Sequence, residues 1–225
     1  DLQRRIDSLL RDYSAYLSDN PEDVSALILY GKLLRRVGQD EQAFQAFLKA
    51  DALDPQLAVV QQQLGTYLAE RGKGTAALTF YLNAVQLEPQ TANYHFALGE
   101  LLYQFRDAFL SEAIFSADAL DREMLKAFRS AAQLAPDDFE LQMRLGEAYY
   151  DLASPDWQAA LLHWSKLLKT VGAGPSLRRD IIHLHKAKVL GQLGRNTEAR
   201  ALATTVQQPS LQASKQQLLE QLAEH

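Results

Sequence analysis

The chain has 225 residues, 47% of them hydrophobic and 23% charged, a balance typical of folded globular chains and sufficient for a sizeable core. A net charge of −5 argues against a nucleic-acid partner, and no apolar run reaches the roughly 18–20 residues that a membrane span needs. The absence of cysteine excludes disulfides, thiol catalysis and thiolate-bound metal, and it assigns no compartment. Aspartate at position 1, without a basic-plus-apolar leader, is expected of a processed chain or a piece of a longer one.

Residues 1–20 read as one amphipathic helix, with Leu2, Ile6, Leu9, Tyr13 and Tyr16 at helical spacing and Pro21 beyond them. Residues 24–57 read as helix, polar turn, helix and proline turn, marked by Gly31, Ala43, Phe47, Ala50 and Pro55. Residues 58–91 repeat every marker at one constant interval, as Gly65, Ala77, Tyr81, Ala84 and Pro89. Inside this second unit, Arg71–Leu78 reads RGKGTAAL and has the look of a phosphate-binding loop. Such a loop needs glycine five positions before the Gly-Lys pair and Ser or Thr directly after the lysine. Tyr67 and Gly74 stand there instead, while Gly38 opens an equivalent turn at the same place in the first unit. The stretch is a turn between paired helices.

The third unit, 92–138, begins on the grid with Gly99, but Phe128, Ala131 and Pro136 arrive late. The extra residues are placed at 106–118, RDAFLSEAIFSAD, and Met124 stands where a small residue is expected. Phe109, Leu110, Ile114 and Phe115 make this insert too apolar for a solvated loop, so it is expected to be an ordered flap. Within it LSEAIF is expected to form a helical turn, and Asp118 to cap a helix starting near Ala119. The fourth unit, 139–175, carries Gly146, Tyr149, Ala160, Trp164 and Leu167, with a short insertion near Ser154-Pro155-Asp156, and ends at Gly172-Ala173-Gly174-Pro175. The fifth, 177–209, keeps Ala187, Gly194, Ala199 and Pro209 but has Ala203 in place of an aromatic. Residues 210–225 close the chain as an amphipathic helix striped by Leu211, Leu218, Leu219 and Leu222.

This grid of small, aromatic and proline residues resembles the tetratricopeptide repeat (TPR), whose unit is about 34 residues long. The first two units match the family's five marker positions in full. The resemblance implies an all-α, right-handed superhelical α-solenoid of about five helix pairs, with helices at 2–17 and 210–223 covering its ends. It also implies that peptide ligands meet one face of each first helix. Carried onto this chain, that face comprises Lys32 and Arg35 (with Arg36 beside them), then Gln62, Thr66 and Glu70. It continues through Phe96, Glu100 and Tyr103, then Met143, Glu147, Tyr150 and Asp151, and in the fifth unit Ile181, Leu184, Lys188, Gly191 and Gln192. The family's carboxylate clamp would need Lys and Asn where Ile28 and Lys32 stand, so it is absent. The middle of the face reads as acidic and aromatic with a basic end, which implies a ligand combining Lys or Arg with apolar residues. The insert flap is expected beside Phe96 and Tyr103, along the groove, with a homodimer contact as its second reading.

No constellation for catalysis accompanies this pattern. His183 and His185 are two apart on a helix and point away from each other, and no histidine has an i+4 partner of zinc-site type. No cofactor and no metal are expected. The leading function is a non-catalytic scaffold that binds a protein or peptide in the concave groove. The alternatives are a self-assembling structural module and the interaction domain of a larger assembly factor or enzyme.

Overall fold

The computed structural model describes residues 2–172, 174 and 176–223. Ala173 and Pro175, expected to end the fourth unit, lie outside the described residues. Every described element is helical, and the chain divides into two compact units, Asp1–Leu134 and Ala135–His225. The first holds α1 (Leu2–Asp19), α2 (Val24–Arg36), α3 (Asp40–Leu53), α4 (Ala58–Glu70), α5 (Gly74–Leu87), α6 (Ala92–Gln104), α7 (Arg106–Ser111) and α8 (Ala117–Leu134). The second holds α9 (Phe139–Ala148), α10 (Trp157–Thr170), α11 (Leu177–Gln192), α12 (Asn196–Thr204), a 3-10 turn at Pro209–Leu211 and α13 (Gln212–Gln221).

Within the first unit α2 pairs with α3, α4 with α5 and α6 with α8, and α3 and α5 each also pack on the helix that follows. The second unit continues the scheme with α9 on α10, α10 on α11, and α11 on α12. What sets the register is a glycine–ring fit. A Cβ added to Gly31 would stand 2.8 Å from the Phe47 ring, to Gly65 2.9 Å from Tyr81, to Gly99 2.7 Å from Phe128, and to Gly146 2.3 Å from Trp164. Only hydrogen at the α-carbon lets the aromatic of the second helix lie against the backbone of the first. The separation in sequence is the same from Gly31 to Phe47 as from Gly65 to Tyr81. It is much longer from Gly99 to Phe128 and slightly longer from Gly146 to Trp164, so the insertions lie inside those two pairs. Ala43, Ala77, Ala160 and Ala199, the small residues of the second helices, are completely buried; so is Met124, which takes that place in α8.

Turns inside the pairs share one backbone solution. Gly38, Gly72 and Gly194 have φ of 76°, 73° and 74°. The next residue's amide (Gln39, Lys73, Arg195) reaches back to the carbonyl of Leu34, Leu68 or Leu190, each at 2.9 Å. Between units, where α4 and α6 lack a side-chain N-cap, the fourth residue of the first helix donates back to the preceding turn. Gln61 Nε2 reaches the Pro55 carbonyl at 3.4 Å and His95 Nε2 that of Pro89 at 2.9 Å; in the second unit Gln142 Nε2 reaches that of Pro136 at 3.3 Å.

The insert differs from its expected form. Its helix is α7, Arg106–Ser111, and the residues of LSEAIF after Ser111 form its C-terminal turn and linker. The helix ends with Ala113 at φ 54°, and Ile114 N–H bonds the Phe109 carbonyl at 3.0 Å, so an alanine fills the place glycine holds in the other turns. The following helix starts at Ala117 and is capped by Ser116, whose Oγ accepts from Ala119 N–H at 3.3 Å, rather than by Asp118. Serine just before the helix intercepts that amide first. At the chain ends α1 extends past the expected 2–17 to Asp19, and the closing helix is a 3-10 turn followed by α13.

Candidate functional site

Each sequence-predicted face residue lies on a first helix or at its end. In the first unit, Lys32 and Glu70 are exposed; Arg35, Gln62, Thr66, Phe96 and Glu100 are half-buried. Arg35 Nη2 meets Glu70 Oε1 at 2.7 Å, which ties α2 to α4 and answers the acidic residue from within the chain. Leu29, Lys32, Leu33, Arg35, Arg36 and Gln63 line a shallow cleft beside that pair, the basic end expected from sequence. Thr66 is partly committed to packing, its hydroxyl 3.2 Å from the Tyr81 phenol. Phe96 stands edge-on to Phe128 at 6.1 Å, so it is shared between the core and the face, whereas Tyr103 is 44% exposed.

The flap residues divide. Phe109 is fully buried and stands edge-on to Phe115 at 5.7 Å; Leu110 and Phe115 are half-buried and Ile114 is exposed. Helix α7 packs on α5 and α6, and Phe105, at the head of the insert, occupies the space over Gly74, where a Cβ would lie 2.1 Å from its ring. Arg106 closes the insert onto α8 through an ion pair with Asp121 at 2.6 Å. Phe105 escapes sequence reasoning because nothing in a regular repeat marks that position.

In the second unit the face is built on aromatic rings. The short insertion before α10 ends α9 at Ala148, so Tyr150 and Asp151 sit in the following turn rather than on the helix, where the grid places them. Tyr150 stacks on Trp157 at 5.4 Å and lies 6.2 Å from the near-parallel His185 ring, which itself stacks on Trp164 at 4.4 Å. The Trp164 indole N–H donates to the Tyr150 hydroxyl, and the Lys188 ammonium stands 5.0 Å above the Tyr150 ring. Burial pushes the Tyr150 phenol well up, and burial together with Lys188 holds His185 down at about 4. His185 is therefore neutral at pH 7, and its 3.7 Å approach to Glu147 is no ion pair there. Asp151 accepts an ion pair from Arg144 at 2.8 Å, and Met143 is half-buried beside Arg144 on α9.

Beside this stack a cleft of about 410 Å³ opens between α11 and α13, its walls including Ile181, Leu184, His185, Lys188, Ser214 and Gln217. Gly191 does not belong to that surface: its missing Cβ makes room for Leu222, the residue that follows α13, 2.5 Å from where the atom would be. Sequence alone gives His185 no part in a metal site and no further role. In the structure it packs on Trp164 and links that ring to the cleft. No group of His, Asp and Glu able to hold a metal ion occurs among the described residues, and no described helix is long and apolar enough to cross a membrane.

Comparison with known proteins agrees with this geometry. Residues 3–58 match a family model described as tetratricopeptide repeat, and residues 65–104 one described as TPR repeat. No curated protein matches the sequence. Among solved structures, YrrB, described as a TPR protein with an unusual peptide-binding site, is 15% identical over 86% of this chain and 90% of its own, with a TM-score of 0.68. The C-terminal part of a TPR repeat-containing protein from Cytophaga hutchinsonii is 17% identical over 91% of this chain and 77% of its own, with a TM-score of 0.70. MamA from Desulfovibrio magneticus RS-1 is 21% identical over 74% and 87%, with a TM-score of 0.58. At such identities the likeness is one of fold. Residues 3–58 and 65–104 thus carry tetratricopeptide repeats, and the glycine–ring register and the fold make the described chain an all-α solenoid of helix pairs.

Proposed function

We propose that the chain is a non-catalytic scaffold whose first-helix faces bind an extended segment of a partner protein. The observation that carries this reading is the second unit's stack of Tyr150, Trp157, Trp164 and His185 beside an open cleft walled by Ile181, Leu184 and Lys188. Tyr150, Trp157 and His185, locked against one another and against the buried Trp164, offer contact area at little entropic cost, and a concave, half-apolar wall with a few polar groups is what a peptide side chain fills. YrrB's described peptide-binding site supports a binding role on the same fold.

The partner segment combines apolar side chains with Lys or Arg, which suit the acidic and aromatic residues of these faces. Charge selectivity should be milder than four acidic face residues suggest, because Arg35 and Arg144 already answer Glu70 and Asp151. A peptide array probed with the intact chain tests this. Bound peptides should combine apolar with basic residues, and Leu184→Asp and Glu147→Lys should each weaken the strongest signals about tenfold (roughly 1.4 kcal/mol). A preference for acidic peptides, or signals unchanged in both variants, would refute the assignment of this face.

A further inference from the structure

Helix α1 has no buried residue, although seven of its 18 residues are large and apolar. Leu10 and Leu17 pack against the first unit's core and Tyr13 stacks on Tyr30 at 5.9 Å, which accounts for the side toward α2. Leu2, Leu9 and Tyr16 are left 74%, 48% and 47% exposed. They recur at the heptad interval and so form one line along the helix, about 21 Å long. Tyr16 is held in place, its hydroxyl donating to Asp23 Oδ2 at 2.9 Å.

The edge of this stripe away from α2 carries exposed charges at the heptad interval, Arg5, Asp12 and Asp19, of which Arg5 and Asp12 lie within the length of the stripe and Asp19 beyond its end. Arg5 lies three positions after Leu2 and four before Leu9; Asp12 lies three after Leu9 and four before Tyr16. The two charges are thus placed almost symmetrically about Leu9, with opposite signs. That is the pattern an antiparallel helix pair with two-fold symmetry requires. Leu9 meets Leu9 of the second copy, Leu2 meets Tyr16, and on the same edge Arg5 faces Asp12, twice. A parallel pair would instead carry the two copies of this edge to opposite sides of the contact, so that Arg5 and Asp12 would not meet.

We propose that the exposed stripe of α1 is a self-association surface on which a second copy of this chain docks its own α1 antiparallel. This goes beyond the partner-binding reading and does not depend on it. A contact confined to one helix of about 27 Å is small beside the roughly 1,200–2,000 Å² of stable interfaces. The dimer should therefore be reversible, with a dissociation constant on the order of 10–100 µM.

Sedimentation of the intact chain over a concentration series is the test. Its mass should rise toward that of a dimer, and Leu9→Glu should stay monomeric at every concentration while keeping the wild-type helical spectrum. Arg5→Asp and Asp12→Arg should each weaken association about tenfold, and the double variant should recover most of the loss. Because the chain has no cysteine, orientation can be read separately. Leu9→Cys should give a disulfide-linked dimer on mild oxidation and Leu2→Cys should not, whereas a parallel pair would link both. A chain that is monomeric throughout, a dimer indifferent to Leu9→Glu, a charge swap that recovers nothing, or efficient linking through Leu2→Cys would each overturn the proposal. Peptide-array signals should be the same for wild type and Leu9→Glu, which separates this outcome from that of the proposed function.

Discussion

Gly72 and Ala113 occupy the same backbone geometry with opposite residue types, so exchanging alanine and glycine at the two sites should move stability in opposite directions. Gly72 has φ 73° in the turn between α4 and α5; Ala113 has φ 54° in the turn that ends α7. No atom lies within 4 Å of where a Gly72 Cβ would be, and Ala113 is exposed, so packing contributes little at either site. What remains is the left-handed backbone, which costs a residue with a Cβ roughly 1–2 kcal/mol. Against this stands the extra freedom glycine has in the unfolded chain, worth about 0.4–1 kcal/mol. Gly72→Ala should therefore destabilise by about 1 kcal/mol, and Ala113→Gly should stabilise by up to about 1 kcal/mol. Both sites lie in the first unit, so both report on the same cooperative body. Urea and thermal unfolding followed by circular dichroism would register the changes, with Tm moving about 2–4 °C per kcal/mol for a chain of this length. Two shifts of the same sign, or an Ala113→Gly variant less stable than wild type, would refute the reasoning.

Gly146→Ala should destabilise more than Gly31→Ala, because its Cβ would stand 2.3 Å from a fully buried indole while that of Gly31 stands 2.8 Å from a phenyl ring. With overpacking at about 1–3 kcal/mol and a helix-propensity gain of about 1, the net loss spans roughly 0–2 kcal/mol, and the closer contact puts Gly146→Ala toward the upper end, measured by urea unfolding. Acidification should weaken the second unit through His185, whose folded pKa of about 4 lies below its ordinary 6.5. The unfolded chain binds the extra proton between those values, so stability is complete above about pH 6.5, falls as pH drops toward 4, and loses on the order of 3 kcal/mol in all. His185→Phe should flatten that slope in unfolding measured at about pH 4–7.

The repeat was legible in the sequence because its marker residues touch each other. Gly31 and Phe47, or Gly65 and Tyr81, form single contacts, so their separation cannot drift without breaking the fit. When residues are inserted, as before Phe128 and Trp164, the separation grows but the pair survives, which is why insert lengths could be read. The face was legible only as a set of positions. Whether a charge there is available depends on neighbours that the grid does not mark. Glu70 is answered by Arg35 from the preceding helix pair, and Asp151 by Arg144, whose place on α9 is not a ligand position. The insert was legible as apolar and hence ordered, but not as a helix anchored by Phe105 and Phe109. Its partners are the bare backbone at Gly74 and its own Phe115, and neither contact follows a period.

One recurring contact was hidden because different side chains make it. Gln61, His95 and Gln142 each reach back to the carbonyl of the proline that ends the previous helix. The chain turns sharply there and leaves that carbonyl without a helical donor, so any side chain of suitable reach with an N–H can serve. Histidine does so only as the Nε2–H tautomer. In the second unit Gln212 Nε2 does the same toward the Val206 carbonyl, at the same interval along the chain and at 3.4 Å. By this criterion α13 begins as the first helix of another repeat, and no second helix follows it among the described residues. Leu218 and Leu222 are buried against α11 and α12, while most of the remaining α13 residues are polar and exposed. The one apolar stripe of α13 is thus spent on the preceding helix pair. Helix α1 lacks that economy. It enters the first unit with an apolar surface wider than α2 covers, which leaves Leu2, Leu9 and Tyr16 exposed.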